Sequence, residues 1–379
     1  MHIKSININN FRNHSNTQIE FGDGVNVISG QNGSGKTTIL EAVSVASLSK
    51  TFQPCLDISL IKSGEEYFSI KTSAISNVDA PYNVQIEYRK NQRKKINTSI
   101  GDNLNPKDII GIIPLVVLSP DFKSLTFGSP QDRRQFLDMI LSQSGRHYAS
   151  ETLRYRKLLK QRNSMLSEYL KSGSTNRDYY EILTDMLIKS AVEIYFKRLN
   201  FVSEFKNFFE TSYKFVSNNI EVPEIIYMPD TIKNDEIKDK DSIKELLQRR
   251  YSDLSSSEFR RGSTLFGPHK DDIIFKINGL NSREAASQGQ HKSLLISIKL
   301  AEFEYLKDIL NETPVILFDD VFSELDTQRS NAVFSKIMEN KAQTLITLTN
   351  AERFSDLNNI STVYYEVQNG IVRRHNVNK

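Results

Sequence analysis

The sequence predicts an α/β fold in which both ends of the chain build one head and a helical arm is inserted between them. Three observations carry this expectation. A β-like run at 24–29 passes through a glycine-rich turn into a helix-like run at 38–43. A second apolar run at 315–318 ends in two adjacent acids, Asp319 and Asp320. The spacing of apolar residues shifts to a helical period of about 3.6 after residue 128 and returns to strand-like runs after 256.

Taken in order, short β-branched runs recur from residue 3 to about 118, at 18–21, 25–29, 68–73, 82–89 and 114–118, with one helix after the glycine-rich turn. Ser129 and Pro130 then supply an N-cap and a first-turn proline. The run they open places Phe136, Leu137, Ile140 and Leu141 on one face. A longer helical run covers 178–213, and the loop at 171–174 makes two long antiparallel helices the expectation. The polar stretch 229–240 reads as a surface loop. Strands return at 273–277, 314–318, 343–347 and 363–367, and no internal repeat is visible. The domains expected are therefore a head made from 1–128 and 257–379, with the arm at 129–256.

Composition narrows the class. The chain has 379 residues, of which 25% are charged, yet its net charge is only +3, so any nucleic-acid surface must be a local patch. A single cysteine, Cys55, excludes an intramolecular disulfide framework and fits a reducing cytoplasm. Asn and Lys punctuate Ile3, Ile6 and Ile8, and no stretch reaches bilayer length. A soluble cytoplasmic protein without membrane contact is expected.

Gly30-Gln31-Asn32-Gly33-Ser34-Gly35-Lys36-Thr37 is a complete G-x-x-x-x-G-K-[ST] phosphate loop, with Thr38 next inside the helix. The glycines let backbone N–H groups face an anion, and the helix N-terminus behind them adds unpaired donors and a favourable dipole. Lys36 is expected to reach the β/γ-phosphates and Thr37 to hold Mg²⁺. An apolar strand ending in acid delivers Asp319 to the carboxyl edge of a sheet, where it can steady the Mg²⁺ shell. Asp320 can orient or deprotonate an attacking water. Ser287, Gly289 and Gln290 precede a long amphipathic run; Ser287 suits an N-cap and Gly289 permits close approach of a phosphate, although such turns commonly just start helices.

Together these segments resemble the ABC-type ATPase heads of the SMC-like kind, and within them the RecF family of bacterial recombination mediators. The likeness runs over most of the chain. It rests on 10–13, the phosphate loop, Leu118-Ser119-Pro120-Asp121, 128–130 with Arg133-Arg134, Gly267-Pro268-His269-Lys270-Asp271-Asp272, 286–290 and 318–326. The resemblance implies an ABC/SMC-like P-loop ATPase head with an inserted helical arm. It puts Ser287 in a signature loop that touches the γ-phosphate held by a second subunit, 323–326 in the shared interface, and Arg12 and Asn13 beside the nucleotide. It implies ATP with Mg²⁺ sandwiched in an ATP-dependent homodimer. It also implies binding of duplex and gapped DNA, RecO- and RecR-type partners, and recombinase loading in repair, replication restart and SOS induction.

Two departures point to slow turnover. Asp320 stands where many ABC ATPases have Glu, and no switch His follows the strand at 344–348, where Thr349-Asn350 stand instead. Basic clusters at 89–95, at Arg154, Arg156, Lys157, Lys160 and Arg162, and at Arg249-Arg250 and Arg260-Arg261 offer DNA contacts or ordinary solvated charge. A transporter ATPase subunit does not suit the inserted arm and 267–272. A small-molecule P-loop kinase has no need of 287–290, and a long SMC tether needs far longer arms. An ATP-gated scaffold with negligible hydrolysis remains the companion reading.

Overall fold

The structure, a computed structural model, describes residues 1–230, 237, 239–322, 325–349 and 361–375. It divides into two compact units: Met1–Lys123 with Phe215–Asn219 and Lys292–Lys379, and Ser124–Lys214 with Ile220–His291. The second unit extends beyond 256 because Asp272–Ile277 pairs antiparallel with Pro223–Met228 and with Leu280–Asn281, forming a three-stranded sheet.

The first unit holds two sheets. The six-stranded sheet runs, edge to edge, Ile371–His375, Thr362–Gln368, Val25–Ser29, Thr344–Leu348, Val315–Asp319 and Leu115–Leu118. All neighbours are parallel except the first pair. Of its inner strands, Val315–Asp319 opens on an unbroken apolar run of four residues, as suits a parallel sheet covered on both faces. Every residue of Val315–Asp319 and Thr344–Leu348 is buried. Register then does the functional work: Ser29 lies opposite Leu348, and Asp319 opposite Thr347. The phosphate loop and the acid strand therefore end at the same carboxyl edge.

The five-stranded antiparallel sheet runs His14–Glu20, His2–Phe11, Tyr67–Ile75, Pro81–Arg89 and Lys95–Thr98. One face buries Ile3, Ile6, Ile8, Phe68, Ile70, Val84 and Ile86. The helix Lys36–Leu48 touches strands of both sheets and buries every residue but Thr37. The strand His2–Phe11 lies outside the expected runs because a bulge between Ile3 and Ser5 breaks its alternation, so Ile3 and Ile6 face the same way at odd spacing.

In the second unit the helices Pro130–Ser144, Arg146–Ser172, Arg177–Val216 and Lys240–Arg261 dominate. Ser129 and Asp132 form a capping box at the first, as the Ser-Pro start predicts. The two longest are antiparallel, as expected. Glu193 is 3.4 Å from His147, Ser190 donates to the Glu151 carbonyl, and Arg162 donates to Thr184, so partner numbers fall on one helix as they rise on the other. Gly173, at φ 72, ends Arg146–Ser172.

Candidate functional site

The phosphate loop joins Val25–Ser29 to Lys36–Leu48. Gly35 is the helix N-cap in the left-handed region, φ 113, and a Cβ there would lie 2.6 Å from His14 Nε2 and 2.7 Å from Asn13 Nδ2. Only glycine fits both the dihedral and the space. Asn13 Nδ2 donates to the Gly33 carbonyl at 3.4 Å, and His14 Nε2 donates to the Gly35 carbonyl at 3.1 Å. Gln31, Asn32 and Gly33 are exposed, whereas Ser34 and Thr38 are buried. Ser34 Oγ is buried and has no hydrogen-bond partner among the described residues.

Lys36 is 7% exposed, and its Nζ donates to the Gly30 carbonyl at 2.7 Å and the Gln31 carbonyl at 2.9 Å. Burial lowers its pKa, while Asp320 and Asp319 act in the opposite sense. An ammonium resting on neutral carbonyls beside an orphaned hydroxyl suits the oxygens of a triphosphate.

Thr37 Oγ1 donates to Asp319 Oδ1 at 2.8 Å. A threonine hydroxyl and a carboxylate held together at the end of the phosphate loop are hard oxygen donors, so these two residues would suit Mg²⁺. Thr347 Oγ1 also donates to Asp319 Oδ1 at 2.8 Å and accepts from the Asp320 N–H at 3.0 Å. Asp320 itself has φ 50, an uncommon conformation for a non-glycine residue. Burial raises the Asp319 pKa, and the Thr37 and Thr347 hydroxyls oppose that rise.

Thr347→Val, nearly isosteric, removes one donor to Asp319 and the acceptor for the Asp320 amide. A cost of about 1–3 kcal/mol is expected from the stranded amide. Losing one hydroxyl also raises the Asp319 carboxyl further. A raised acid contributes stability that is lost as pH rises through its folded-state pKa. The deficit of the variant is therefore smallest in acid and grows toward neutral pH. Thermal melts of both proteins across that range check this; a pH-independent difference would remove Thr347 from the acid pair.

Arg12, at φ 49, directs its guanidinium to the buried Glu41 at 2.6 Å rather than into the loop. Burial raises the Glu41 pKa, with Arg12 opposing. Thr347, His14 and Glu41 were not among the expected site residues: Thr347 looks like ordinary strand filler, and Glu41 like a helix-surface acid. Ser287 is exposed and caps Gln288–Leu310. Gln290 N–H donates to Ser287 Oγ at 3.2 Å, and Ser287 N–H to Gln290 Oε1 at 2.8 Å, a reciprocal capping box. Gln290 Nε2 donates to Glu221 at 2.7 Å. Ser287, Gly289 and Gln290 belong to the second unit, the phosphate loop to the first. Ser323, Glu324 and Asn350 lie outside the described residues, as do most of 231–238 in the expected polar loop. Asp326 caps Thr327–Asn340.

Two members of the expected basic clusters are corrected. Arg162 is completely buried and ion-paired to Glu258, so it faces no solvent or DNA. Lys94 is tied to Asp57 at 2.7 Å and to the Ser49 carbonyl at 2.6 Å, leaving Arg93 and Lys95 exposed at the hairpin. The segment 267–272 is a structural hub: buried Asp271 accepts from Arg198, Tyr195 and Tyr227.

Residues 5–258 match the model of the AAA domain family. The DNA replication and repair protein RecF of Chlorobium phaeovibrioides is 37% identical over 347 residues, spanning 91% of this chain and 93% of that one. Its counterpart in Shouchella clausii is 33% identical over 374 residues, 99% of this chain and 100% of the relative. A solved structure of the recombination mediator protein RecF-ATP in the RecFOR pathway superposes with TM-score 0.91 at 30% identity, covering 99% and 98% of the two chains. The Smc head domain of Pyrococcus furiosus, 14% identical with TM-score 0.56 over 99% of this chain and 96% of its own, shares the fold. The ABC/SMC-like α/β head expected from the sequence is thus the observed fold, and the chain belongs to the RecF family of DNA replication and repair proteins.

Proposed function

We propose that this chain is an ATP-dependent DNA-binding protein that pairs with a second copy on ATP and helps load the recombinase at gapped DNA. The carrying observation is the phosphate loop geometry, with Lys36 on two carbonyls and Thr37, Asp319 and Thr347 joined through one carboxylate oxygen. The relatives are named for DNA replication and repair, and the solved RecF carries ATP in its RecFOR context. Lys36, the loop amides and Ser34 hold the triphosphate. Thr37 and Asp319 hold Mg²⁺, which neutralises phosphate charge when bound. Asp320 orients the attacking water. Its short side chain and the missing switch His make turnover slow, so hydrolysis times release.

The first unit serves as the ATPase head and the second carries the arm and Ser287. Ser287 closes on the nucleotide of the partner copy, and a ligand gripped by two copies stabilises only the pair. RecO- and RecR-type proteins are the partners. No helix among the described residues is long and apolar enough to cross a membrane; the work on chromosomal DNA belongs in the cytoplasm.

Light scattering with and without ATP, repeated with gapped duplex, tests this reading. ATP is expected to double the mass, and DNA to strengthen the doubling. Ser287→Arg should keep ATP binding but lose the doubling, and Asp320→Asn should keep the doubling but lose turnover. Nucleotide-driven pairing by Ser287→Arg would defeat the shared-nucleotide model.

A further inference from the structure

The second unit holds a cavity of about 320 Å³ whose lining includes Arg134, Gln135, Asp138, Tyr155, Arg156 and His269. Its charge is unevenly matched. Arg133 pairs with Asp272 at 2.7 Å, Arg156 with Asp138 at 2.9 Å, and Arg198 with Asp138 at 2.9 Å and Asp271 at 3.0 Å. Arg134 has no carboxylate within 4.0 Å among the described residues; its NH1 donates to the Asp271 backbone carbonyl at 2.6 Å. Burial, reinforced by Arg198, lowers its pKa, while Asp271, Asp272 and Asp138 act in the opposite sense from beyond ion-pairing distance, so no carboxylate among the described residues closes on this cation.

Asp138, the carboxylate in the lining, is already shared by Arg156 and Arg198. Tyr155 and His269 are hydrogen-bonded to each other at 2.7 Å, and burial holds the His269 pKa at about 4, so this wall is neutral at physiological pH. Arg156, 60% exposed, stands at the mouth, with Lys157 and Lys160 exposed on the same helix. Two guanidinium groups from different helices, facing a cavity larger than a carboxylate needs, match the oxygens of a tetrahedral anion.

We propose that this cavity binds a phosphoryl group, gripped by Arg134 with Arg156 at the rim. The group comes either from a nucleic-acid backbone or from a free phosphate. The nucleic-acid source rests on the DNA-binding reading above, whereas phosphate binding in itself does not.

The test uses the intact protein at constant ionic strength: anisotropy of a fluorescein-labelled duplex over a salt series, and calorimetric titration with inorganic phosphate. Arg134→Gln is expected to weaken duplex binding about five-fold or more and to lower the salt slope by about one, with Arg134→Lys intermediate. With the phosphate loop first saturated by a non-hydrolysable ATP analogue, so that it cannot take the titrant, phosphate heat should vanish in Arg134→Gln. Gln135→Glu, exposed and outside the buried network, sets a carboxylate beside Arg134 and should act in the same direction should Arg134→Gln fail to fold. Binding of a fluorescent ATP analogue should be unchanged in each variant. Phosphate heat with duplex binding unaltered by the variants assigns the cavity to a free phosphate. Phosphate heat from a protein that binds no duplex keeps the cavity and sinks the DNA reading. Unaltered duplex binding with no phosphate heat overturns the proposal.

Discussion

Lys36→Met lowers affinity for a triphosphate by about 10²–10⁴-fold while leaving the melting temperature unchanged or slightly raised. The asymmetry follows from where the ammonium sits. Lys36 is 7% exposed and is held by two backbone carbonyls instead of a carboxylate. Desolvation already lowers its pKa, so the folded protein alone gains little from the charge. Met keeps the aliphatic length, and the loop carbonyls it abandons, on half-buried Gly30 and exposed Gln31, can turn to water. A bound triphosphate is different: charge-assisted hydrogen bonds contribute about 1.5–3 kcal/mol each, and about 1.4 kcal/mol is tenfold in affinity. Two such contacts give the stated range. Titration of a fluorescent ATP analogue, beside thermal melts, checks both halves. Affinity within threefold of the parent would mean that the glycine-rich turn is structural and the nucleotide site lies elsewhere.

Which parts of this site could be read from the chain alone depends on how local their determinants are. The phosphate loop is contiguous, and its glycines are required by backbone geometry, so 30–37 announces itself. Asp319 and Asp320 are equally visible, because a run of five buried residues ending in acid has one sensible place in a parallel sheet. Thr347 is not visible in this way. Its link to Asp319 comes from the register between Val315–Asp319 and Thr344–Leu348, which no local spacing encodes. Glu41 and His14 are hidden for a similar reason, since their partners Arg12 and Gly35 are 29 and 21 residues away. Arg162 misleads for the opposite reason. It sits in a basic stretch that looks solvated, yet its counter-ion Glu258 is 96 residues distant. The strand Pro223–Met228 falls in a stretch of helical texture, and only its partner Asp272–Ile277 gives it a sheet.

Arg162→Met is expected to have the largest effect on stability of any single change in the second unit. Both Arg162 and Glu258 are 0% exposed, with their nearest atoms at 2.5 Å. The guanidinium also donates to Thr184 at 2.9 Å, Thr264 at 2.7 Å and Tyr180 at 2.6 Å, and it lies over the rings of Tyr180, Tyr251 and Phe266. Every polar edge of the group is thus matched, which is the condition under which a buried pair is tolerated at all. Removing one partner leaves Glu258 as a buried carboxylate supported, among the described residues, by Tyr180 OH and the Leu265 amide. Breaking such a pair costs about 3–5 kcal/mol, a large share of the roughly 5–15 kcal/mol that holds a domain folded. The double variant Arg162→Met with Glu258→Gln removes both charges, and should recover a substantial part of the loss because the stranded carboxylate is its main source. Urea melts followed by far-UV circular dichroism measure this, since the second unit carries most of the long helices and its transition reads out there. Recovery in the double variant locates the cost in charge; a double variant as unstable as the single one would locate it in the ring stack that Arg162 fills. A single variant that melted with the parent would mean that neither is needed, and that the second unit is held by its apolar packing alone.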